Sequence, residues 1–198
     1  MVDARPPRPA GPAPDAATLH EAALAYLARY TATEAGLRHV LERRLDRWQR
    51  QSQRNGLDPE TIAAQVATAR NAVREVVARL TAAGALNDAA YAESRARSLV
   101  RSGRSHRAVL AYLAAKGVDA ETAASVMPKP EQSELAAALV LARKRRIGPF
   151  RPGQVPDEAG RRRELGVLAR AGFPRSVAHQ ALAMDPDQAE TIVNELRR

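Results

Sequence analysis

Residues 94–118 form a stretch of the chain that carries positive charges and no Asp or Glu. Its basic residues are Arg95, Arg97, Arg101, Arg104, Arg107 and Lys116, with the titratable His106 among them. A solvated helix surface usually mixes both signs of charge, so a stretch of one sign indicates contact with an anionic surface. Arginine suits phosphate because its planar guanidinium donates two parallel hydrogen bonds. We predict that this stretch binds nucleic-acid phosphate or an acidic protein surface, and ordinary solvated surface is the alternative.

Two further basic clusters are candidates for the same role. The second comprises Arg38, Arg43, Arg44 and Arg47, and continues to Arg54. Glu42 and Asp46 dilute it, so ion pairs along a helix explain it as well as binding does. The third comprises Arg143, Lys144, Arg145 and Arg146, and it flanks a loop that contains Phe150. Phe150 could stack on a base, although packing onto its own unit is the commoner role of a loop aromatic.

Residues suited to catalysis are sparse. The four histidines are scattered along the chain, at His20, His39, His106 and His179. His20-Glu21 lacks the second histidine of a helical zinc motif, and the absence of cysteine excludes thiolate chemistry and disulfides. Several aspartates stand where a carboxylate would cap a helix. We therefore expect a protein that is not an enzyme and that uses neither a metal nor a cofactor.

Composition restricts the fold and the partners. The chain has 198 residues, 4% aromatics and a net charge of +9. A core built from Ala, Leu and Val suits closely packed helices better than sheets. The excess of positive charge predicts a polyanionic or acidic partner. No apolar run approaches the length of about 20 residues that a membrane helix needs, and no signal-peptide pattern opens the chain, so we expect a cytoplasmic monomer without membrane contact.

A six-residue pattern indicates an internal repeat. The segment 56–61 (GLDPET) recurs as 117–122 (GVDAET) and, more loosely, as 172–177 (GFPRSV). Each copy follows one helical apolar pattern and opens another, which is typical of tandem helical units. We predict an all-α chain, an elongated and curved array of three three-helix repeats. A proline-rich, disordered tail over 1–17 precedes repeats over 18–83, 84–128 and 131–198.

The spacing of apolar residues and caps predicts the individual helices. The first runs from its cap at Thr18 to Tyr30, and the second opens at Thr33 with a stripe that ends at Trp48. The third opens at Asp58-Pro59 and has an apolar stripe for five turns: Ile62, Val66, Ala69, Val73, Val76, Val77 and Leu80. We predict that Asn87 or Asp88 caps the fourth helix, Ser105 the fifth and Asp119 the sixth. The apolar stripe of the fifth helix is Val109, Leu110 and Leu113, and that of the seventh is Leu135, Leu139 and Ala142. Asp185-Pro186 is a candidate break in the ninth helix.

The middle of the chain resembles the RecX family, regulators of the RecA recombinase. The resemblance rests on residues 84–92 (GALNDAAYA), on the basic helix that follows, and on the run Leu110…Leu113…Lys116-Gly117-Val118. The family pattern has Asp, Phe and Ile where this chain has Asn87, Tyr91 and Val118. The second helix of the first repeat is about three turns longer than its counterparts, which departs from the commonest form of the family.

The resemblance implies nine helices in three repeats and a binding role. The implied partners are RecA and the single-stranded DNA within its filament, bound along the filament groove, with binding to DNA alone left open. The implied outcome is inhibition of the ATPase, recombinase and coprotease activities of RecA, and thereby regulation of DNA repair. The alternative that the residues themselves leave open is a basic helical protein that binds nucleic acid independently of RecA.

Overall fold

A computed structural model describes residues 11–197, and the side chains of all of these except 130–132 and 197. All regular structure in this range is helical and none of it is strand, which confirms the predicted fold class. The chain divides into two compact units, Met1–Asp88 and Ala89–Arg198. Residues 1–10 of the predicted tail lie outside the described residues.

The first unit consists of α1 (Ala16–Leu27), α2 (Glu34–Arg54) and α3 (Pro59–Ala82). The predicted helix start at Thr33 and the predicted cap at Asp58 are confirmed, since each side chain accepts a hydrogen bond from the helix it opens. The predicted cap at Thr18 is wrong. Asp15 caps α1 instead, because its carboxylate accepts a hydrogen bond from the backbone N–H of Thr18, one of the donors left free in the first turn.

The core of the first unit follows the predicted helix faces. All seven stripe residues of α3 are buried, and Leu37, Leu41 and Leu45 of α2 are buried with them. The expectation that Trp48 continues this stripe into the core is wrong, because Trp48 is only half-buried. Its indole Nε1 donates to the carbonyl of Gly11 at 2.9 Å. The segment before α1 therefore lies against α2 and satisfies a polar group that a core position would have left without a partner.

The second unit contains seven helices and a short 3₁₀ turn at Gly148–Phe150. The helices are α4 (Asp88–Arg101), α5 (His106–Ala115), α6 (Ala120–Ser125), α7 (Pro130–Arg145), α8 (Glu158–Arg170), α9 (Arg175–Ala183) and α10 (Pro186–Arg197). The predicted break at Asp185-Pro186 is confirmed. Asp185 accepts hydrogen bonds from the backbone N–H groups of Asp187 and Gln188, so the described residues form ten α-helices rather than nine.

Helix α7 is the most buried element of the second unit. We predicted a one-sided stripe, but residues 136–140 are all buried and Leu135 is only partly so. A helix buried on every side must contact neighbours all round, and small residues allow this: Ala136, Ala137 and Ala138 adjoin Leu139 and Val140. Buried residues from α4 to α10 join in one cluster around it.

The glycine-led turns of the repeat pattern are left-handed. Gly56, Gly117 and Gly172 have φ of 74°, 80° and 90°, a region that a side chain disfavours. At Gly172 the surroundings are also tight, because an added Cβ would lie 2.8 Å from the Ser105 hydroxyl oxygen. That hydroxyl donates to the carbonyl of Ala171 at 2.7 Å. The turn before α9 is therefore hydrogen-bonded to Ser105, the N-cap residue of α5.

Two leucines on α5 give a matched test of the core. Leu113 is fully buried, whereas Leu110, which we predicted in the same stripe, is 38% exposed. Leu113→Ala should lower the free energy of unfolding by about 2–5 kcal/mol through lost burial and the cavity left behind. Leu110→Ala should cost less than about 1 kcal/mol. Urea denaturation followed by circular dichroism measures both, and equal losses would contradict this packing.

Two glycines separate backbone strain from close packing. Gly84 also has a positive φ, of 72°, but an added Cβ there meets nothing within 4 Å. Gly84→Ala should therefore cost only the left-handed penalty, about 1–2 kcal/mol. Gly172→Ala adds a clash that displaces the Ser105 hydroxyl from its carbonyl partner, and its loss on thermal or urea unfolding should be clearly larger. A Gly172→Ala variant no less stable than Gly84→Ala would show that the turn tolerates a side chain.

Candidate nucleic-acid interface

Helices α4 and α5 hold the one-sign stretch at the surface of the second unit. The apolar residues of α4, Ala92, Ala96 and Val100, are buried, as are Val109 and Leu113 of α5. Since these faces point into the core, the polar residues between them face solvent. The six predicted basic residues of the stretch are all exposed.

Two of these basic residues converge on one tyrosine ring. The guanidinium carbon of Arg95, on α4, lies 5.8 Å from the ring centroid of Tyr112, and the ammonium of Lys116 lies 5.6 Å from it. Arg95 Nη2 also donates to the Tyr112 hydroxyl at 3.2 Å. The Tyr91 hydroxyl is 3.4 Å from that of Tyr112. Cations near an aromatic face are attracted by its quadrupole, so the ring of Tyr112 attracts both side chains.

The two tyrosines differ in acidity. Burial raises the pKa of Tyr112, but its hydrogen bonds with Tyr91 and Arg95 and the positive charges of Arg95 and Lys116 outweigh burial, and the net pKa lies below the ordinary 10.0. Burial raises the pKa of Tyr91, and its hydrogen bond to Tyr112 raises it further. The pKa of the Arg95 guanidinium is raised, mainly by its hydrogen bond to Tyr112 and to a lesser extent by its interaction with Tyr91.

The remaining arginines of the stretch divide into two groups. Arg97 pairs with Glu93, one turn earlier on α4, so the first acid outside the stretch neutralises one of its charges. Arg101, Arg104 and Arg107 form no ion pair with any described residue. A Cβ added at Gly172 would lie 3.6 Å from the Cβ and Cδ atoms of Arg107, so the stem of Arg107 lies beside that turn while its exposed side chain reaches solvent.

The N-terminus of α5 positions Arg104 and Arg107. The Ser105 hydroxyl caps the helix through Ala108 N, at 3.2 Å. Glu134, on α7 and 5% exposed, accepts the backbone N–H of His106 at 2.8 Å. The His106 ring contacts the Ser133 hydroxyl at 2.8 Å. A buried carboxylate at a helix N-terminus also meets the positive end of the helix dipole.

The cluster on α2 lies in the first unit. Arg38, Arg43, Arg44 and Arg47 are all exposed. None of them pairs with Glu42, Asp46 or another described acid, although the spacing allows such pairs. A shallow depression beside them is lined by Val40, Asp46 and three arginines of the same helix: Arg43, Arg47 and Arg50. These guanidinium groups are available to an external anion.

The third cluster is partly used by the fold. Arg143 pairs with Glu190 of α10 at 3.0 Å, and Lys144 donates to the carbonyl of Ser102 at 2.7 Å. Arg145 and Arg146 are exposed, and Arg146 closes α7 with a left-handed φ of 54°. Arg143 and Lys144 therefore make contacts within the second unit, whereas Arg145 and Arg146 have no such side-chain partner among the described residues.

The loop after α7 is held by an ion pair. Arg151 makes a two-bonded contact with Glu164, Nε to Oε1 at 2.9 Å and Nη2 to Oε2 at 2.5 Å. Phe150 packs against the core cluster of the unit, so the structure favours packing over the stacking role considered for it. Within the described residues, no group of His, Cys, Asp and Glu side chains could hold a metal ion, and no helix combines the length and apolarity needed to cross a membrane.

The sequence analysis did not predict that Tyr91 and Tyr112 lie together on this surface. Tyr91 entered only as the counterpart of a family phenylalanine. The available signal is helical spacing, because Tyr91 and Arg95 stand at i, i+4 on α4, and Tyr112 and Lys116 stand at i, i+4 around the end of α5. Nothing in the sequence shows that these two pairs meet across the helices.

Comparisons with known proteins agree with one another. The family model described as "RecX, second three-helix domain" matches residues 87–127. The chain is 42% identical over 170 residues to "Regulatory protein RecX" from Myxococcus xanthus, covering 85% of this chain and 86% of that protein. It is 40% identical over 111 residues to the protein of the same name from Agrobacterium fabrum, covering 56% and 59%.

A solved structure supports the fold. The crystal structure of RecX from Lactobacillus salivarius superposes with a TM-score of 0.58 and 18% identity, covering 92% of this chain and 97% of that one. The match in fold extends over almost the whole chain, and the match in sequence to the Myxococcus protein extends over most of it. The chain belongs to the RecX family of regulatory proteins.

Proposed function

We propose that this chain regulates RecA by binding the RecA–single-stranded DNA filament and inhibiting its ATPase, recombinase and coprotease activities. The observation that carries the proposal is the 42% identity to a "Regulatory protein RecX" over 85% of the chain. In this proposal the chain acts by binding, as a cytoplasmic monomer, and supplies no catalytic group of its own.

The exposed arginines of the second unit support a role in filament binding. Arg101, Arg104 and Arg107 lie close together in sequence around the α4–α5 turn, and no described acid neutralises them. Glu134 and Ser105 fix the start of α5 between them, so their backbone positions are set before any partner binds. A surface held in place loses less entropy on binding, which favours these three as contacts to phosphate or to an acidic surface of RecA.

The α2 cluster supports a second contact. Its four arginines, Arg38, Arg43, Arg44 and Arg47, are exposed and unpaired among the described residues. An extended polyanion such as a nucleoprotein filament can meet two separate basic surfaces at once, and linked contacts strengthen binding beyond either one alone.

The direct test is ATP hydrolysis by RecA on single-stranded DNA as this protein is titrated in. A fall in rate at substoichiometric protein supports regulation of the filament by capping or destabilisation. A fall only near stoichiometric protein calls for a second titration with DNA in excess, because simple competition for DNA would then be relieved. An unchanged rate, together with tight binding to naked DNA, would favour a nucleic-acid-binding protein independent of RecA.

A matched pair of triple variants tests the surface. Arg101→Glu, Arg104→Glu and Arg107→Glu together should weaken inhibition at least about tenfold, because each reversal replaces an attractive contact with a repulsive one. Arg70→Glu, Arg74→Glu and Arg79→Glu on α3 change the net charge by the same amount on a surface assigned no role. If both triple variants weaken inhibition equally, overall charge explains the effect and the assignment of the α4–α5 turn is wrong.

A further inference from the structure

We propose that Trp48 is a base-stacking residue for single-stranded nucleic acid, and that residues 11–14 cover it until a strand displaces them. Arg44 and Arg47 hold the phosphates beside the stacked base. The inference rests on the proposed function, since it specifies how the cluster on α2 contacts the DNA of the filament. It adds an aromatic residue to that cluster and gives the segment before α1 a regulatory role.

Trp48 lies in a surface groove of the first unit. The groove has a volume of about 470 Å³ and is lined by two arginines of α2, the indole, Thr18 and the segment 12–15. Arg44 stands one turn before the tryptophan and Arg47 directly before it, so one stretch of helix carries the ring and both guanidinium groups. Clefts of about 300–1,000 Å³ hold small ligands, so this groove is of a size to take one nucleotide.

The lining of this groove is net positive. Arg44 and Arg47 are exposed and form no ion pair with any described residue. The carboxylate in the lining, that of Asp15, accepts the backbone N–H of Thr18 at 2.8 Å, so it is engaged at the start of α1. Asp46 lines the neighbouring depression together with three arginines. The two linings together hold four arginines and two aspartates, an excess of positive charge that attracts a polyanion.

A tryptophan beside two arginines fits a single strand of nucleic acid. The bases of a single strand stack on aromatic rings, and its phosphates accept hydrogen bonds from guanidinium groups. A duplex keeps its bases stacked inside the helix. An acidic side chain pairs with arginine but leaves the indole without a stacking partner. The ring and the charges together therefore favour single-stranded nucleic acid over a duplex or an acidic peptide.

The covering segment, residues 11–14, is held at the surface. The indole Nε1 donates to the carbonyl of Gly11 at 2.9 Å in an exposed hydrogen bond, and water can replace both partners of such a bond. Pro12 and Pro14 have no N–H to donate. A second groove, of about 610 Å³, is lined by residues 13–16 and by α3. A segment bordered by two grooves is not close-packed as a core is, so an incoming strand can displace it.

The test measures binding of labelled oligothymidine to the full chain, without RecA, at several salt concentrations. Trp48→Ala should weaken binding at least about fivefold, because stacking is lost. It should leave the slope of log K against log salt unchanged, because no charge is removed. Trp48→Phe loses the indole N–H but keeps an aromatic face, and should retain most of the affinity. Arg44→Gln should reduce the slope by about 0.7, because one fewer counterion is released from a single strand.

Matched controls lie in the same unit. Tyr30→Ala removes an aromatic side chain that is 57% exposed, and Arg70→Gln removes an exposed charge of α3. Both should change binding little. An abasic deoxyribose-phosphate oligomer should bind wild type and Trp48→Ala equally, because it has no base to stack. Urea unfolding of each variant separates lost binding from lost folding.

Displacement of the covering segment has its own readout. The chain has one tryptophan, so a proton–nitrogen correlation spectrum shows one indole N–H signal. That signal should move when oligothymidine is added, because the hydrogen bond to Gly11 breaks. Pro12→Gly should tighten binding about twofold to fivefold, because glycine gives the released segment more conformational freedom. An indole signal that stays in place, or unchanged affinity in Pro12→Gly, would contradict displacement.

Four outcomes would overturn the stacking site. They are wild-type affinity in Trp48→Ala, no binding of oligothymidine by wild type at low salt, equal affinity of wild type for the abasic oligomer and oligothymidine, or binding of polyglutamate with the same loss in Trp48→Ala, which would assign the surface to an acidic protein. Failure here is distinguishable from failure of the proposed function. Inhibition of RecA by wild type and Trp48→Ala alike removes only this site, whereas stacking on Trp48 without inhibition of RecA leaves the site and removes the regulatory role.

Discussion

The second unit depends on close approach between helices whose contact surfaces are made of alanine, valine and glycine. Helix α7 is buried on every side across residues 136–140. An added Cβ at Gly103 would lie 3.0 Å from the backbone nitrogen of Leu141, so the α4–α5 turn contacts the α7 backbone itself. A composition with 4% aromatics leaves little bulk for filling gaps, and backbones must approach closely to exclude water. Elements from α4 to α10 are thereby held around one helix.

This packing also explains why the surface is basic. The acids of the second unit that the structure pairs are engaged with specific partners: Glu93 with Arg97, Glu134 with the start of α5, Glu158 with Arg162, Glu164 with Arg151, and Glu190 with Arg143. Each of these contacts holds one local element in place. Among the described residues, the arginines around the α4–α5 turn have no such partners, and part of the excess positive charge of the composition appears there as unpaired guanidinium groups.

The sequence was sufficient for elements whose signals are local. The seven-residue stripe of α3, the start of α2 at Thr33, the caps at Ser105 and Asp119, and the break at Asp185-Pro186 all follow from spacing and cap chemistry within one helix. The wrong predictions concern positions decided elsewhere in the fold. Leu110 has the spacing of a core residue, but no element covers it. Trp48 continues a stripe beyond the cluster formed with α1, and the backbone of Gly11 takes it as a partner instead.

The candidate site divides in the same way. The one-sign charge of 94–118 was visible in the sequence, because it requires only counting. The contact of Arg95 with Tyr112 was not, because it depends on how α4 and α5 are placed against each other. The ion pair of Arg143 with Glu190 and the hydrogen bond of Lys144 to the Ser102 carbonyl were likewise not predictable, because they depend on how α7 packs beside other helices. Residue type predicted which side chains could bind an anion, and tertiary contacts decided which of them remain available.

Trp48 is the chain's single tryptophan, and its indole donates to the carbonyl of Gly11. The intrinsic emission of the protein above the tyrosine band therefore originates at one place, where the segment preceding α1 lies against α2. Detachment of that segment would expose the indole to water and shift its emission to the red. The protein thus contains a built-in optical reporter for the docking of its own proline-rich segment, beside the arginines of α2 and remote in sequence from the tyrosines of the second unit.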